Sequence, residues 1–345
     1  MNKIKAIICF FEIMMISLYK NRKIELSMKR LNLKWSLLLA ILPAMSWAVE
    51  ERPVSLEIPA GEIKGKMLLP DVETPPVVLI IAGSGPTDMD GNTVLGAVTI
   101  KNNSLKFLAE GLAERGIASL RYDKRGIASS AAAGQVEADL RFDDYVADAR
   151  AWIDSLAQEK ARFSGVYVLG HSEGALIGML ASAGNEQVKG VISLAGAGRP
   201  AYEIIERQMS GQPAAVCQLV KSVNDSLRAG KTVTDIPVGL MALYRPSVQP
   251  YLISWYRYNP QTVVAGLEQP VLIVQGDKDI QVSVEDAQLL KKAQPRATIE
   301  LVENMNHVLK RCESTEVNEQ QSTYANPDLP VMKNLLDVID KFIKP

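Results

Sequence analysis

Serine, histidine and aspartate are the residue types whose placement in this chain points to chemistry. Histidine is the scarcest of them: the 345 residues contain two, His171 and His307. His171 lies in Gly170-His171-Ser172-Glu173-Gly174, a Gly-x-Ser-x-Gly segment between an apolar stretch and an Ala- and Gly-rich one. That is the setting of a sharp strand-to-helix turn that lifts a serine hydroxyl above a sheet edge. A serine hydroxyl is a poor nucleophile at its free pKa and needs a base. The side chain of His171 should point away from the turn apex and pack beside it. The base is then His307, in Glu303-Asn304-Met305-Asn306-His307. A carboxylate must fix the tautomer of such a base and stabilise its cation. Asp277 and Asp279, in Gln275-Gly276-Asp277-Lys278-Asp279, are both candidates. Acyl transfer also needs N–H donors for a developing oxyanion. The backbone N–H of Glu173, just after the serine, is one. The backbone N–H of Ser84 in Gly83-Ser84-Gly85-Pro86 is the other, with Gly85 as the alternative.

These residues must be held at one edge by the elements around them. Short apolar runs at 54–58, 63–69, 77–82, 117–122, 165–170, 188–195, 271–275 and 298–302 read as strands. Between them, 105–115, 142–160, 173–183, 284–293 and 331–342 carry helical patterns. Strands apolar on both faces and separated by helices predict an α/β domain, a doubly wound, mostly parallel sheet covered on both sides. Ligands in such sheets sit beyond the carboxyl ends of the strands, where Ser172, both aspartates and His307 fall. Residues 199–268 break the alternation with helical stretches at 202–209 and 215–227 and a run of aromatics including Tyr244, Tyr251, Trp255, Tyr256 and Tyr258. A connection of that length is uncommon without structure of its own. It is expected to be a helical lid over the strand ends, as against a pair of ordinary crossover helices.

The composition is that of a globular protein: 47% hydrophobic and 22% charged, with 38 Lys/Arg against 39 Asp/Glu. Residues 28–48 have a basic start (Lys29, Arg30, Lys34), an apolar run from Trp35 to Met45 and a small-x-small Ser46-Trp47-Ala48. This is the pattern of a secretory signal cut after Ala48, too short for a membrane span. Residues 1–27 then read as an upstream start chosen in error, or as an anchor ahead of Met28. Residues 1–48 hold eight basic and two acidic residues, so residues 49–345 keep 30 basic and 37 acidic, a net charge of −7. With no basic run, nucleic-acid binding is not expected, and no membrane contact is expected of the mature chain. Cys217 and Cys312 remain after cleavage and are either a disulfide, as an oxidising compartment permits, or two separate thiols.

Other polar segments read as architecture. The glycine-rich loop at 83–86 lacks the Lys-Ser/Thr ending of a nucleotide-binding loop. Asp88, Asp90 and Asn92 lack the spacing and terminal Glu of a calcium loop. Neither cofactor nor metal is therefore expected. Asp123 and Arg125, in Asp123-Lys124-Arg125-Gly126, are expected to brace neighbouring loops.

Taken together, residues 83–92, Tyr122-Asp123-Lys124-Arg125-Gly126, Gly170-His171-Ser172-Glu173-Gly174, Gly276-Asp277-Lys278-Asp279 and Asn306-His307-Val308-Leu309-Lys310 resemble bacterial secreted α/β-hydrolases. The branch resembled is the serine-aminopeptidase-like, acyl-esterase-like one, and the likeness covers nearly all of residues 54–345. It implies an α/β-hydrolase fold, a Ser172–Asp279–His307 triad in that chain order, a lid and no cofactor. Ala82 stands where relatives often carry His, and Ala128 where they often carry Gly. The expected activity is hydrolysis of small to medium carboxylic esters through an acyl-enzyme on Ser172, in the periplasm or outside the cell. An aminopeptidase or amidase would use the same groups, with Glu173, Glu203 or Glu206 available to receive a free amine. A non-catalytic binding protein would show a broken triad.

Overall fold

A computed structural model of the chain describes residues 49–345 except 96, 97 and 135. The expected signal segment 28–48 and residues 1–27 lie outside the described residues. Ten strands and eleven α-helices follow one another along the described chain. An edge pair, β1 (Glu50–Ile58) and β2 (Gly61–Leu69), is antiparallel over nine residue pairs. β3 (Val77–Ile81) is followed by a small hairpin, β4 (Thr93–Leu95) and β5 (Val98–Ile100), and by α1 (Ser104–Ala113). Then come β6 (Ala118–Tyr122), α2 (Phe142–Gln158), β7 (Val166–His171), α3 (Glu173–Ser182) and β8 (Val188–Leu194). Five helices fill the next stretch: α4 (Ala201–Gln208), α5 (Ala214–Arg228), α6 (Met241–Tyr244), α7 (Gln249–Trp255) and α8 (Pro260–Ala265). The chain closes with β9 (Val271–Gly276), α9 (Val284–Ala293), β10 (Thr298–Val302), α10 (Val317–Tyr324) and α11 (Lys333–Ile343).

Eight strands form one sheet in the order β1-β2-β6-β3-β7-β8-β9-β10. β2 runs antiparallel to β6, and the pairs from β6 to β10 are all parallel. The doubly wound, mostly parallel sheet expected from the apolar runs is therefore what forms. Alternation along β3 divides the core: Val77, Leu79 and Ile81 face α2, α3 and the 201–267 helices, while Val78 and Ile80 face α1 and α11. All five are buried, as the central strand of a covered sheet must be. β1 starts four residues earlier than its apolar run, because an edge strand alternates exposed charge with half-buried side chains and looks polar over Glu50–Pro53.

The segment 199–268 is helical as expected, and its packing is specific. The ring of Phe142 stacks on Trp255 at 5.6 Å and 3°, and Tyr251 and Tyr258 tilt against the same ring. Asn224, buried, accepts the hydroxyls of Tyr244 and Tyr256 on one carboxamide oxygen, each at 2.8 Å. These helices extend the larger of the two cores. Cys217 lies on α5 and Cys312 in the loop before α10, and both thiols are free. No helix among the described residues is long and apolar enough to cross a membrane.

Candidate active site

β7 ends at His171 and α3 begins at Glu173, so Ser172 occupies the turn alone, with φ 55° and ψ −120°. A positive φ costs a non-glycine residue of order 1–3 kcal/mol and persists where surroundings enforce it. Two glycines provide the enforcement by letting backbones touch. A Cβ on Gly170 would lie 2.0 Å from the Gly174 carbonyl oxygen, and one on Gly174 would lie 2.3 Å from that of Ile81. The strand and the helix thus approach more closely than any side chain permits, and the serine is pushed to the apex.

His307 sits on a turn built by Asn306. The Asn306 side chain accepts the Lys310 N–H (3.2 Å), and its amide donates to Thr323 Oγ1 at 2.6 Å on α10. His307 Nδ1 donates to Asp279 Oδ2 at 2.7 Å, with both side chains buried. The same carboxylate takes the N–H groups of Gln281 (2.8 Å) and Val282 (3.0 Å) and Nε2 of Gln275 (3.0 Å). Four donors fix this carboxylate in place with an oxygen facing Nδ1, so the imidazole carries its proton on Nδ1 and keeps Nε2 free as a base. Asp277 does something different: it accepts the Asn304 N–H at 2.6 Å and so closes the loop ahead of His307. Of the two candidate carboxylates, the structure brings Asp279 to the imidazole.

Ser172 and His307 line one cleft with His171, Gly83, Ser84, Thr87, Gln281, Val308 and Tyr324, among others. The Ser172 hydroxyl has no hydrogen-bond partner among the described residues, and such contacts often tighten only when substrate is bound. Gly83 lies against the serine: a Cβ there would be 3.2 Å from Ser172 Cβ. No acceptor among the described residues takes the amide N–H of Ser84 or of Glu173, which leaves both available to an oxyanion. His171 is buried beside the turn as expected, and its Nε2 donates to the His307 carbonyl at 2.8 Å. Burial, helped by the neighbouring His307 ring, pulls its pKa down from 6.5 to about 3, so it stays neutral.

The expected bracing roles of Asp123 and Arg125 are visible. Asp123 accepts the N–H groups of Met89 (2.6 Å) and Ser129 (2.9 Å), and Arg125 forms a buried two-pronged pair with Asp148 on α2. Asp88 folds its own turn by accepting the Asp90 and Asn92 N–H groups. The acidic residues offered for a substrate amine do not reach the cleft. Glu173 is paired with Lys124 at 3.0 Å in the interior, Glu206 accepts from Asn224 at 3.1 Å, and neither these nor Glu203 line the cleft. Nor, among the described residues, does any residue of 199–268. The wall comes from the loop after β3 and from two further elements, the β4–β5 hairpin and the α10 segment, which share a small apolar cluster of Ile100, Val308 and Tyr324. Sequence reasoning missed these two elements, because three-residue strands and a polar eight-residue helix leave no periodic signal. It also missed Gln275, which a lone amide ending an apolar strand could have flagged.

A family model described as serine aminopeptidase, S33, matches residues 102–241, a stretch that holds Ser172 and stops short of Asp279 and His307. The curated esterase EstD of Thermotoga maritima is 28% identical over 259 residues, covering 73% of this chain. The chain spans 59% of the length of that relative. Among solved structures, Est1E from Butyrivibrio proteoclasticus is similar with a TM-score of 0.52 and 18% identity, over 85% of this chain and 96% of that one. An esterase of Pyrococcus furiosus gives 0.53 and 15%, over 92% and 98%. At such identities the two structures testify to the fold.

Proposed function

We propose that this chain is a member of the α/β-hydrolase superfamily and, within it, a serine hydrolase of carboxylic esters with small to medium acyl chains. The observation that carries this reading is the 2.7 Å Asp279–His307 bond beside a serine strained to φ 55° in the same cleft. In this reading Ser172 Oγ attacks the acyl carbon and passes its proton to His307 Nε2. The carbonyl oxygen, now an anion, is met by the N–H groups of Ser84 and Glu173. The imidazolium, steadied by Asp279, protonates the departing alcohol, and the same base then activates the water that releases the acid.

An aminopeptidase would use the same groups, and the matched family model bears that description. The lining favours the ester: among the described residues of the cleft none is acidic, so a substrate ammonium finds no counter-charge there. The esterase name of the Thermotoga relative supports the same choice. The composition of residues 28–48 supports export, with a mature chain starting at Val49. The test uses purified residues 49–345 with p-nitrophenyl acyl esters and aminoacyl p-nitroanilides, and Ser172→Ala as the blank. Faster, Ser172-dependent ester cleavage is expected. Preferential cleavage of anilides with a free amine would move the assignment to aminopeptidase.

A further inference from the structure

The loop after β6 carries a lysine in the protein interior. The Lys124 side chain is 1% exposed, and its partner Glu173 is 2% exposed. The ammonium has three protons and three places for them. It donates to the Gly83 carbonyl oxygen at 2.6 Å and to Glu173 Oε1 at 3.0 Å, and it lies 4.8 Å from the centre of the Tyr145 ring. Burying an ion pair is costly and seldom stabilises a fold more than an apolar substitute would, so what this pair holds in place matters more than its strength.

It holds the peptide that carries the Ser84 N–H and the side chain of Glu173, and so touches both candidate oxyanion donors from behind. The Gly83 carbonyl and the Ser84 N–H belong to one planar, trans peptide unit, so they point in opposite directions and turn together. A charge-assisted bond on the carbonyl fixes the plane and draws electrons toward its oxygen, which makes the N–H on the far side a better donor. The other contact fixes the side chain of Glu173, whose own N–H is the second donor. We infer that Lys124 is the positioning residue of the oxyanion hole, setting the Gly83–Ser84 peptide relative to Glu173 from behind without touching substrate. This inference rests on the esterase reading above. It also gives the Glu173 carboxylate a role that excludes it from binding a substrate amine.

The test compares Lys124→Met, and the double variant Lys124→Met/Glu173→Gln, which leaves no unpaired charge in the interior, with the unaltered enzyme. Active sites are counted with a fluorophosphonate, kcat and KM are measured on a p-nitrophenyl ester per counted site, and affinity is measured for an aliphatic trifluoromethyl ketone. Ser172 adds to that ketone to form a hemiketal whose oxyanion occupies the hole. Losing a donor outright costs roughly 10²–10³ in kcat, so a donor present but unheld is expected to cost about 10–100-fold. KM is expected to stay within about threefold, and ketone affinity to fall by the same factor as kcat/KM. Should Lys124→Met fail to fold, the double variant carries the same expectation. A smaller count of sites with normal kcat per site, or ketone affinity unchanged while kcat falls, would overturn the inference. Unaltered protein that neither reacts with fluorophosphonate nor cleaves esters would instead overturn the esterase reading, and this inference with it.

Discussion

The Nε2–H of His171 is bonded to the backbone carbonyl of His307 at 2.8 Å, with the two rings 4.8 Å apart. One histidine therefore serves as scaffold for the other. Because its pKa in the fold is about 3 against an ordinary 6.5, the unfolded chain binds a proton there that the folded chain refuses. Its contribution is complete above pH 6.5 and is lost as pH falls toward 3, at up to about 1.4 kcal/mol per pH unit. His171→Gln, which keeps a donor but does not titrate, is expected to destabilise less in acid. Melting temperatures of both proteins from pH 4 to 8 check this: the gap between them should change below pH 6.5. A constant gap would show that His171 does not refuse the proton.

The two aspartates of the β9 loop should separate cleanly. Asp279→Asn leaves the shape but offers an amide where the imidazole needs an acceptor, and kcat on esters is expected to fall by about 10³–10⁴. Asp277→Ala loses the Asn304 tie and is expected to cost about 1–2 kcal/mol of stability with kcat within about fivefold. Equal losses of kcat would reject the division of labour.

The buried Arg125–Asp148 pair fastens the loop after β6 to α2. Burial holds the Asp148 pKa above its ordinary value despite the guanidinium, so the pair already bears a desolvation cost. Arg125→Met alone is expected to cost about 3–5 kcal/mol, and Arg125→Met/Asp148→Leu to recover much of it. Urea unfolding of the set measures both, and a double variant no better than the single would refute the account.

Protein exported and purified without reductant is expected to begin at Val49. Once unfolded it should show two free thiols, since Cys217 and Cys312 are unpaired. N-terminal sequencing and thiol titration read these independently. A different first residue removes the signal-segment reading, and a count of zero would mean the two thiols pair after all.

Much of this was visible in the chain itself, for identifiable reasons. β3, β7 and β9 are fully or almost fully apolar, so their loops, and the residues on them, could be ordered along one edge. His307 could be assigned by elimination because histidine is scarce. The choice between Asp277 and Asp279 was not in the residues alone: it depends on which carboxylate turns toward the imidazole, a matter of loop geometry. The free thiols likewise needed three-dimensional distance. The walls of the cleft were illegible because α10 buries Gln320, Thr323 and Tyr324, side chains that a hydrophobic pattern discounts.

Tyr324 and His307 belong to the same stretch of chain between β10 and α11, joined through Asn306 and Thr323. The selective wall and the proton-accepting group are thus inherited as a unit. A family diversifying from this scaffold would find its acyl preference hard to alter there without disturbing turnover. The β4–β5 hairpin, which carries Thr93 into the cleft and no member of the triad, is where new substrate ranges would arise at least cost to rate.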